Sequence, residues 1–278
     1  MNPLMSKIKS LLQRSPLLVS AVRRVRYWRN VRRLKGPKLM QRFAQLYPEA
    51  YFIQIGSNDG KQLDHLQTAI LNQHWCGIMI EPVPYVFARL RRNYGHLKDR
   101  VQLENVAIGE RNGSMPFWHL RQAATDDPIT PWYDALGSFR KDVILKHAIY
   151  IPDLEQRLTC TEVPTLTFAE LCERHRVGQV DLIQMDTEGY DYEIIKRIDF
   201  ARYRPALLIY EHHHFDAQTQ AACEARLRGF GYDVVRESID TWCVDRQARD
   251  PRQQILIDYW QTLLRKYGRG RQTPASPA

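Results

Sequence analysis

The residues best suited to chemistry fall in three short blocks. The first is Phe52-Ile53-Gln54-Ile55-Gly56-Ser57-Asn58-Asp59-Gly60, an apolar run that enters a loop flanked by two glycines. Gly56 lets the backbone turn and approach a ligand, and Gly60 is expected to open a helix whose free N–H groups attract negative charge. The G-x-x-x-G spacing is not the G-x-G-x-x-G of dinucleotide-binding dehydrogenases. The second block is Ile78-Met79-Ile80-Glu81-Pro82, which sets an acid 25 residues beyond Gly56, at the end of a second apolar run. An acid there can accept both hydroxyls of a ribose. The third block pairs Asp186, after the run Asp181-Leu182-Ile183-Gln184-Met185, with Glu211-His212-His213-His214 after a further run. Carboxylates and imidazoles at one sheet edge suit general-base work on a hydroxyl, and also a magnesium or manganese ion.

Parallel βα units would bring these blocks together. Short apolar runs at 51–55, 77–80, 101–107, 180–185 and 206–210 alternate with helical stretches, as expected for strands buried on both faces. Two further strands, 232–236 and 241–244, are joined by a hairpin-length link and should close the sheet with an antiparallel pair. Helices are expected over 62–71, 83–94, 168–175, 190–197, 217–228 and 253–266. The fold class is therefore α/β, a mostly parallel Rossmann-like sheet. One connection, 108–179, is far longer than a crossover needs and is rich in aromatics, including Trp118, Trp132, Tyr133 and Phe139. It reads either as a lid or substrate wall, or as an extension with a small core of its own.

Charge divides the chain unevenly. The formal net charge is +9, yet the 12 Lys and Arg residues before Glu49 face no acid, leaving 28 basic and 31 acidic residues beyond. The expected domains are a basic amphipathic arm over 1–48, a catalytic body over 49–267 and a disordered tail over 268–278. Within 17–34, Leu18, Ala21, Val22, Val25 and Trp28 recur at helical spacing between arginines. That helix either lies on an anionic membrane surface, packs on the body, or serves as an organelle-targeting segment. No run approaches the roughly 18–20 apolar residues of a membrane span. Five cysteines without a C-x-x-C pair argue for a reducing, cytoplasmic setting, with membrane association at the inner surface left to the arm. A slightly acidic body disfavours nucleic acid as a partner.

Taken together, Ile53 to Gly60, Glu81-Pro82, Asn105-Val106-Ala107-Ile108-Gly109 and Asp186-Thr187-Glu188-Gly189-Tyr190-Asp191 resemble the FkbM-type S-adenosylmethionine-dependent methyltransferases. The resemblance runs from about Tyr51 to Asp245 and implies a seven-stranded methyltransferase sheet that methylates a hydroxyl, often of a sugar or natural product. It implies that Gly56, Asn58 and Gly60 hold the methionine end of S-adenosylmethionine, Glu81 the ribose, and the turn from Asn105 to Ala107 the adenine. Three positions depart from the family pattern: Gln54 stands for Asp, Gln184 for Lys and Asp191 for Glu.

Methyl transfer from a sulfonium needs an oxygen nucleophile in line and about 3 Å away. On this reading Asp186, Glu211 and His212 surround the acceptor hydroxyl, with Asp186 and Glu211 also the metal ligands should a metal assist. Two other functions stay open: a nucleic-acid methyltransferase using the basic arm, and a cofactor-binding protein without turnover, suggested by Gln54 and Gln184.

Overall fold

The computed structural model describes residues 35–61, 64–124, 132–151 and 153–267. Its strands are β1 (Tyr51–Ile55), β2 (Cys76–Ile80), β3 (Val101–Glu104), β4 (Ala107–Ile108), β5 (Gly113–Leu120) and β6 (Gly137–Ser138), then β7 (Leu158–Leu166), β8 (Leu182–Met185), β9 (Leu207–Glu211), β10 (Tyr232–Glu237) and β11 (Asp240–Asp245). Its helices are α1 (Gly36–Leu46), α2 (Gln67–Asn72), α3 (Pro84–Tyr94), α4 (Lys141–Leu145), α5 (Leu154–Arg157), α6 (Phe168–Arg174), α7 (Asp191–Ile195), α8 (Ala217–Gly229) and α9 (Pro251–Tyr267).

Seven strands form one sheet in the order β10-β11-β9-β8-β1-β2-β3. Strands β3, β2, β1, β8 and β9 are parallel, while β11 runs antiparallel to β9 and to β10. Alternate residues feed opposite faces. Ile53, Ile55, Ile183, Met185 and Leu208 pack under α6, α7 and α8. Phe52, Met79, Leu182, Leu207 and Ile209 pack against Leu39, Phe43, Trp75, Leu90 and Trp260 on the other side. The continuous apolar runs of the sequence reflect this burial on both faces.

Three boundaries differ from the sequence reading by more than two residues. The run 101–107 does not stay in one sheet: β3 stops at Glu104, and Ala107 and Ile108 pair with Thr165 and Leu166 of β7. Asn105 causes the departure, its side-chain amide donating to the carbonyls of Glu81 (2.8 Å) and Pro82 (3.0 Å). Helix α2 starts at Gln67 rather than near 62, after Asp64 has accepted the N–H of Leu66 at 2.7 Å. Residues 35–48, counted with the arm, belong to the folded body. Glu237 accepts the N–H of Lys35 (2.8 Å) and of Gly36 (2.7 Å), and α1 buries Leu39, Met40 and Phe43. The amphipathic stretch 17–34 and the tail 268–278 lie outside the described residues.

The long connection builds a second sheet, β4-β7-β5-β6, around an antiparallel ribbon that pairs residues from Gly113 with Thr165 to Leu120 with Leu158. It has its own core of Leu120, Tyr133, Leu136, Ile144, Ile151 and Leu154. It is also bolted to the body: Phe117 and Val163 pack on Val83, Val86 and Ala107. Asp134 accepts from Tyr85 Oη (3.0 Å) and Arg89 Nη1 (2.8 Å) of α3. No helix among the described residues is long and apolar enough to cross a membrane.

Candidate active site

Register places the chemistry. Ile55 is paired with Ile80 on one side and Met185 on the other, and Met185 with Tyr210. Gly56, Glu81, Asp186 and Glu211 therefore stand one step further along, at the carboxyl edge. Here the chain order reverses direction around β1, which is where open α/β sheets bind ligands. Gly56 has φ +80°, and a Cβ on it would lie 1.8 Å from the carbonyl oxygen of Asp186. Only glycine fits between the two loops. Ser57 ties the strand ends by donating to the Gln54 carbonyl (3.1 Å) and accepting from Ile80 N–H (3.0 Å).

A cavity of about 930 Å³, including its mouth, opens on this edge. Gly56, Asn58 and Glu81 line it together with Val83, Val106 and Ala107. Glu81 is buried and accepts Asn58 N–H (3.0 Å) and Val83 N–H (2.8 Å) with its two oxygens. Burial pushes its carboxyl up to about 7 despite those hydrogen bonds. Further along the floor lie Gln54, Asp64 and Gln184, with Gln54 donating to Asp64 at 3.0 Å. Gln54 Oε1, Asp64 Oδ2 and Gln184 Oε1 are buried and lack a hydrogen-bond partner among the described residues. Three acceptors without donors call for a donor-rich ligand group such as an ammonium. Burial raises Asp64 to about 6.

The far wall belongs to the inserted sheet. Phe117, Trp132, Asp134, Gly137 and Phe139 face the cavity, with Tyr190 beside Phe139 at a ring-centroid distance of 4.7 Å. Asp186 and Thr187 form the floor beneath them.

Asp186 is open to the cavity, and beneath it lies a set of acids and imidazoles. Ligand oxygens of Asp186, Glu188 and Glu211 lie within 4.8 Å of one another, as do those of Glu188 with the ring nitrogens of His147 and His214. Glu188 Oε2 is 2.8 Å from His214 Nε2 and 3.8 Å from His147 Nε2. Although its side chain opens on the cavity, desolvation by the surrounding protein, then the charge of Glu188 and its acidic neighbours, holds Asp186 above the carboxylate range. Burial takes Glu188 up to about 8 and, with Asp186, lifts Glu211 far up. The same burial pushes His147 and His214 down to about 4. Asp191 stands behind, fully buried, accepting Thr187 Oγ1 (2.6 Å) and Glu211 N–H (3.3 Å), so it fixes the loop after β8 rather than facing the cavity.

Of the residues singled out from sequence, Gly56, Asn58, Glu81, Ala107 and Asp186 meet in one cavity. Asn105 sits behind it, bracing the loop after β2. Gly60 lies apart. The next helix begins seven residues later, at Gln67, and a Cβ on Gly60 would strike Tyr94, whose hydroxyl donates to the Gly60 carbonyl at 2.5 Å. His212 also turns away, Nδ1 lying 3.0 Å from Thr241 Oγ1. The next turn, closed by Phe215 N–H donating to the His212 carbonyl at 3.0 Å, sends His214 inward instead. Glu211 joins the buried cluster but does not line the cavity. Asp64 and His147 carried no motif signal: Asp64 falls in a stretch read as helix, whereas the helix begins only at Gln67, and His147 lies in the inserted segment far along the chain from β8 and β9.

Known proteins resemble this chain in sequence pattern and in part of its fold. The methyltransferase FkbM domain family matches residues 54–239. Among solved structures, the methyltransferase FkbM from Methylobacillus flagellatus KT aligns at 12% identity and a TM-score of 0.44, covering 70% of this chain and 44% of that one. The O-methyltransferase from Bacillus cereus, solved with S-adenosylhomocysteine, aligns at 10% identity and TM-score 0.40, covering 76% and 80%. An RNA methyltransferase from Salinibacter ruber, also with S-adenosylhomocysteine, aligns at 14% identity and TM-score 0.34, covering 77% and 93%. This chain thus spans less than half the length of the Methylobacillus protein. No curated protein matches the chain in sequence. With more than half of its length matched by one family, and with that family's motifs meeting at a single sheet edge, the chain belongs to the FkbM methyltransferases.

Proposed function

We propose that this chain is an S-adenosylmethionine-dependent O-methyltransferase acting on a hydroxyl of a sugar, glycolipid or natural product. The observation that carries the reading is the cavity shared by Gly56, Glu81 and Asp186 around the β1 turn; in this reading Glu81 is the ribose acceptor and Asp186 the base. Glu81 would take the ribose hydroxyls, and the apolar strip of Val83, Val106 and Ala107 the adenine. The unpartnered oxygens of Gln54, Asp64 and Gln184 would receive the amino acid's ammonium. Asp64 thereby supplies, from the next loop, the negative charge that Gln54 lacks.

The donor supplies an electrophilic methyl group on sulfur. The protein's part is to hold an alcohol in line with it and remove the proton. Asp186 would accept the acceptor's hydroxyl proton as that oxygen takes up the methyl group, leaving the donor's sulfur as a neutral thioether. A carboxylate raised above its ordinary range is a stronger base than a surface aspartate. The aromatic wall of Phe117, Trp132 and Phe139 suits the apolar faces of a sugar ring and excludes water from the reacting atoms. The arm residues 17–34 would bring the enzyme to an anionic membrane surface where a lipid-linked acceptor resides.

The test is transfer of labelled methyl from S-adenosylmethionine into glycan, glycolipid and RNA fractions. Label in hydroxyl-bearing glycans, lost in Asp186→Asn, supports the reading; label confined to RNA replaces it, and binding without transfer to any fraction leaves a cofactor-binding protein.

A further inference from the structure

We propose that His147, Glu188 and His214 hold a divalent first-row transition-metal ion, zinc being the probe of choice, directly beneath the cavity floor. The three side chains come from separate parts of the chain. His147 lies in a short 3-10 turn of the inserted segment, Glu188 in the loop after β8, and His214 in the turn after β9. Their metal-binding atoms lie within 4.8 Å of one another, Glu188 Oε2 being 2.8 Å and 3.8 Å from the two imidazole nitrogens. Ligands bound at about 2.0–2.2 Å around a tetrahedral ion stand roughly 3.3–3.5 Å apart, so these side chains need only small rotations.

The second observation is that the set is incompletely satisfied: Glu188 Oε2 meets His214 Nε2 at 2.8 Å, but without the alignment of a hydrogen bond. Glu188 Oε2 and His147 Nε2 have no hydrogen-bond partner among the described residues, and neither does Glu211 Oε2, 3.8 Å from His214 Nε2. Glu188 and Glu211 are 9% and 6% exposed. Buried carboxylate oxygens without well-formed hydrogen bonds are costly, and two of them converging on the same imidazoles form a donor set that a cation would satisfy. The donor set selects among ions. Two imidazoles with a carboxylate favour zinc, iron(II) or manganese(II), whereas magnesium prefers oxygen alone. This centre is distinct from the Asp186 and Glu211 pair that a magnesium-assisted reaction would use, although Glu188 lies within 4.8 Å of both. An ion here would offset the clustered negative charge under Asp186 and lock the inserted segment, through His147, to the sheet edge.

Chelator-stripped full-length protein, without S-adenosylmethionine, is titrated calorimetrically with zinc chloride and with magnesium chloride at pH 7.5. One zinc site per chain is expected, at least 100-fold tighter than magnesium and weakened at least 10-fold in both His147→Gln and His214→Gln. Loading the wild-type protein with cobalt(II) gives a measurement that needs no variant, with visible absorption bands of an imidazole-ligated ion expected. Absence of zinc binding, affinity unchanged in both histidine variants, or a cobalt spectrum identical to the aqueous ion would each overturn the proposal. Because no methyl transfer is measured, failure here leaves the proposed reaction standing, and failure of the reaction leaves the metal site standing.

Discussion

Replacing Glu81 with Gln separates this side chain's place as a buried acid from its proposed role as a ribose contact. In the folded protein burial lifts its carboxyl from 4.5 to about 7, so the native state holds the proton more tightly than the unfolded chain. Stability from this group is therefore fully present below about pH 4.5 and is lost as pH rises through about 7. The displacement corresponds to on the order of 3 kcal/mol, most of which disappears between pH 5 and pH 8. Glutamine has no proton to lose. Its amide, however, sets an NH2 against one of the two backbone N–H groups, of Asn58 or Val83, that Glu81 now accepts. That mismatch costs about 1–3 kcal/mol at every pH. Urea unfolding of both proteins at pH 5 and pH 8 should show Glu81→Gln clearly less stable at pH 5, with the gap closed or reversed at pH 8. Calorimetry with S-adenosylhomocysteine at pH 8 should show about tenfold weaker binding by the variant, the worth of one mismatched hydrogen bond. Parallel stability profiles for the two proteins would refute the buried-acid argument. Equal ligand affinities would refute the ribose contact.

Gly56→Ala should abolish ligand binding and lower the melting temperature by several degrees, since its Cβ would overlap the Asp186 carbonyl in a left-handed backbone; a stable, binding-competent variant would contradict the close approach of the two loops. Asp186→Asn should lower kcat at least 100-fold while leaving S-adenosylhomocysteine affinity within a few-fold, and equal losses in both would move Asp186 to cofactor binding. Asp64→Asn should weaken S-adenosylmethionine binding about 5–10-fold by calorimetry, the loss of a charge-assisted hydrogen bond, and unchanged affinity would remove Asp64 from the ammonium site. Deleting residues 1–34 should leave a cooperatively folding body that binds anionic liposomes less well. Deleting through residue 48 removes buried Leu39, Met40 and Phe43, at about 2–5 kcal/mol for each large side chain, and should prevent folding; equal melting temperatures for the two truncations would contradict the packing of α1.

The parallel strands were legible along the chain because a strand buried on both faces must be written as an unbroken apolar run, whatever surrounds it. The residue closing each run is equally plain, and it puts Gly56, Glu81 and Asp186 on one edge from the sequence alone. Register then sets those ends side by side, Ile55 pairing with both Ile80 and Met185. What sequence withheld was everything set by contacts between segments distant in the chain. Asn105 ends β3 because its amide finds carbonyls 23 and 24 residues earlier, and no local propensity encodes that. Three consecutive histidines are equivalent on paper. The backbone turn after β9 alone decides that His212 meets Thr241 while His214 meets Glu188. The segment 35–48 looked like the end of a basic arm because its charges are local, whereas its anchors, Glu237 and Trp242, lie some two hundred residues away. Sequence thus determined the layered sheet and the ends of its strands, through periodicity and burial. Tertiary structure alone decided which acids and imidazoles share a space, because that depends on how loops turn and on what the inserted sheet brings against them.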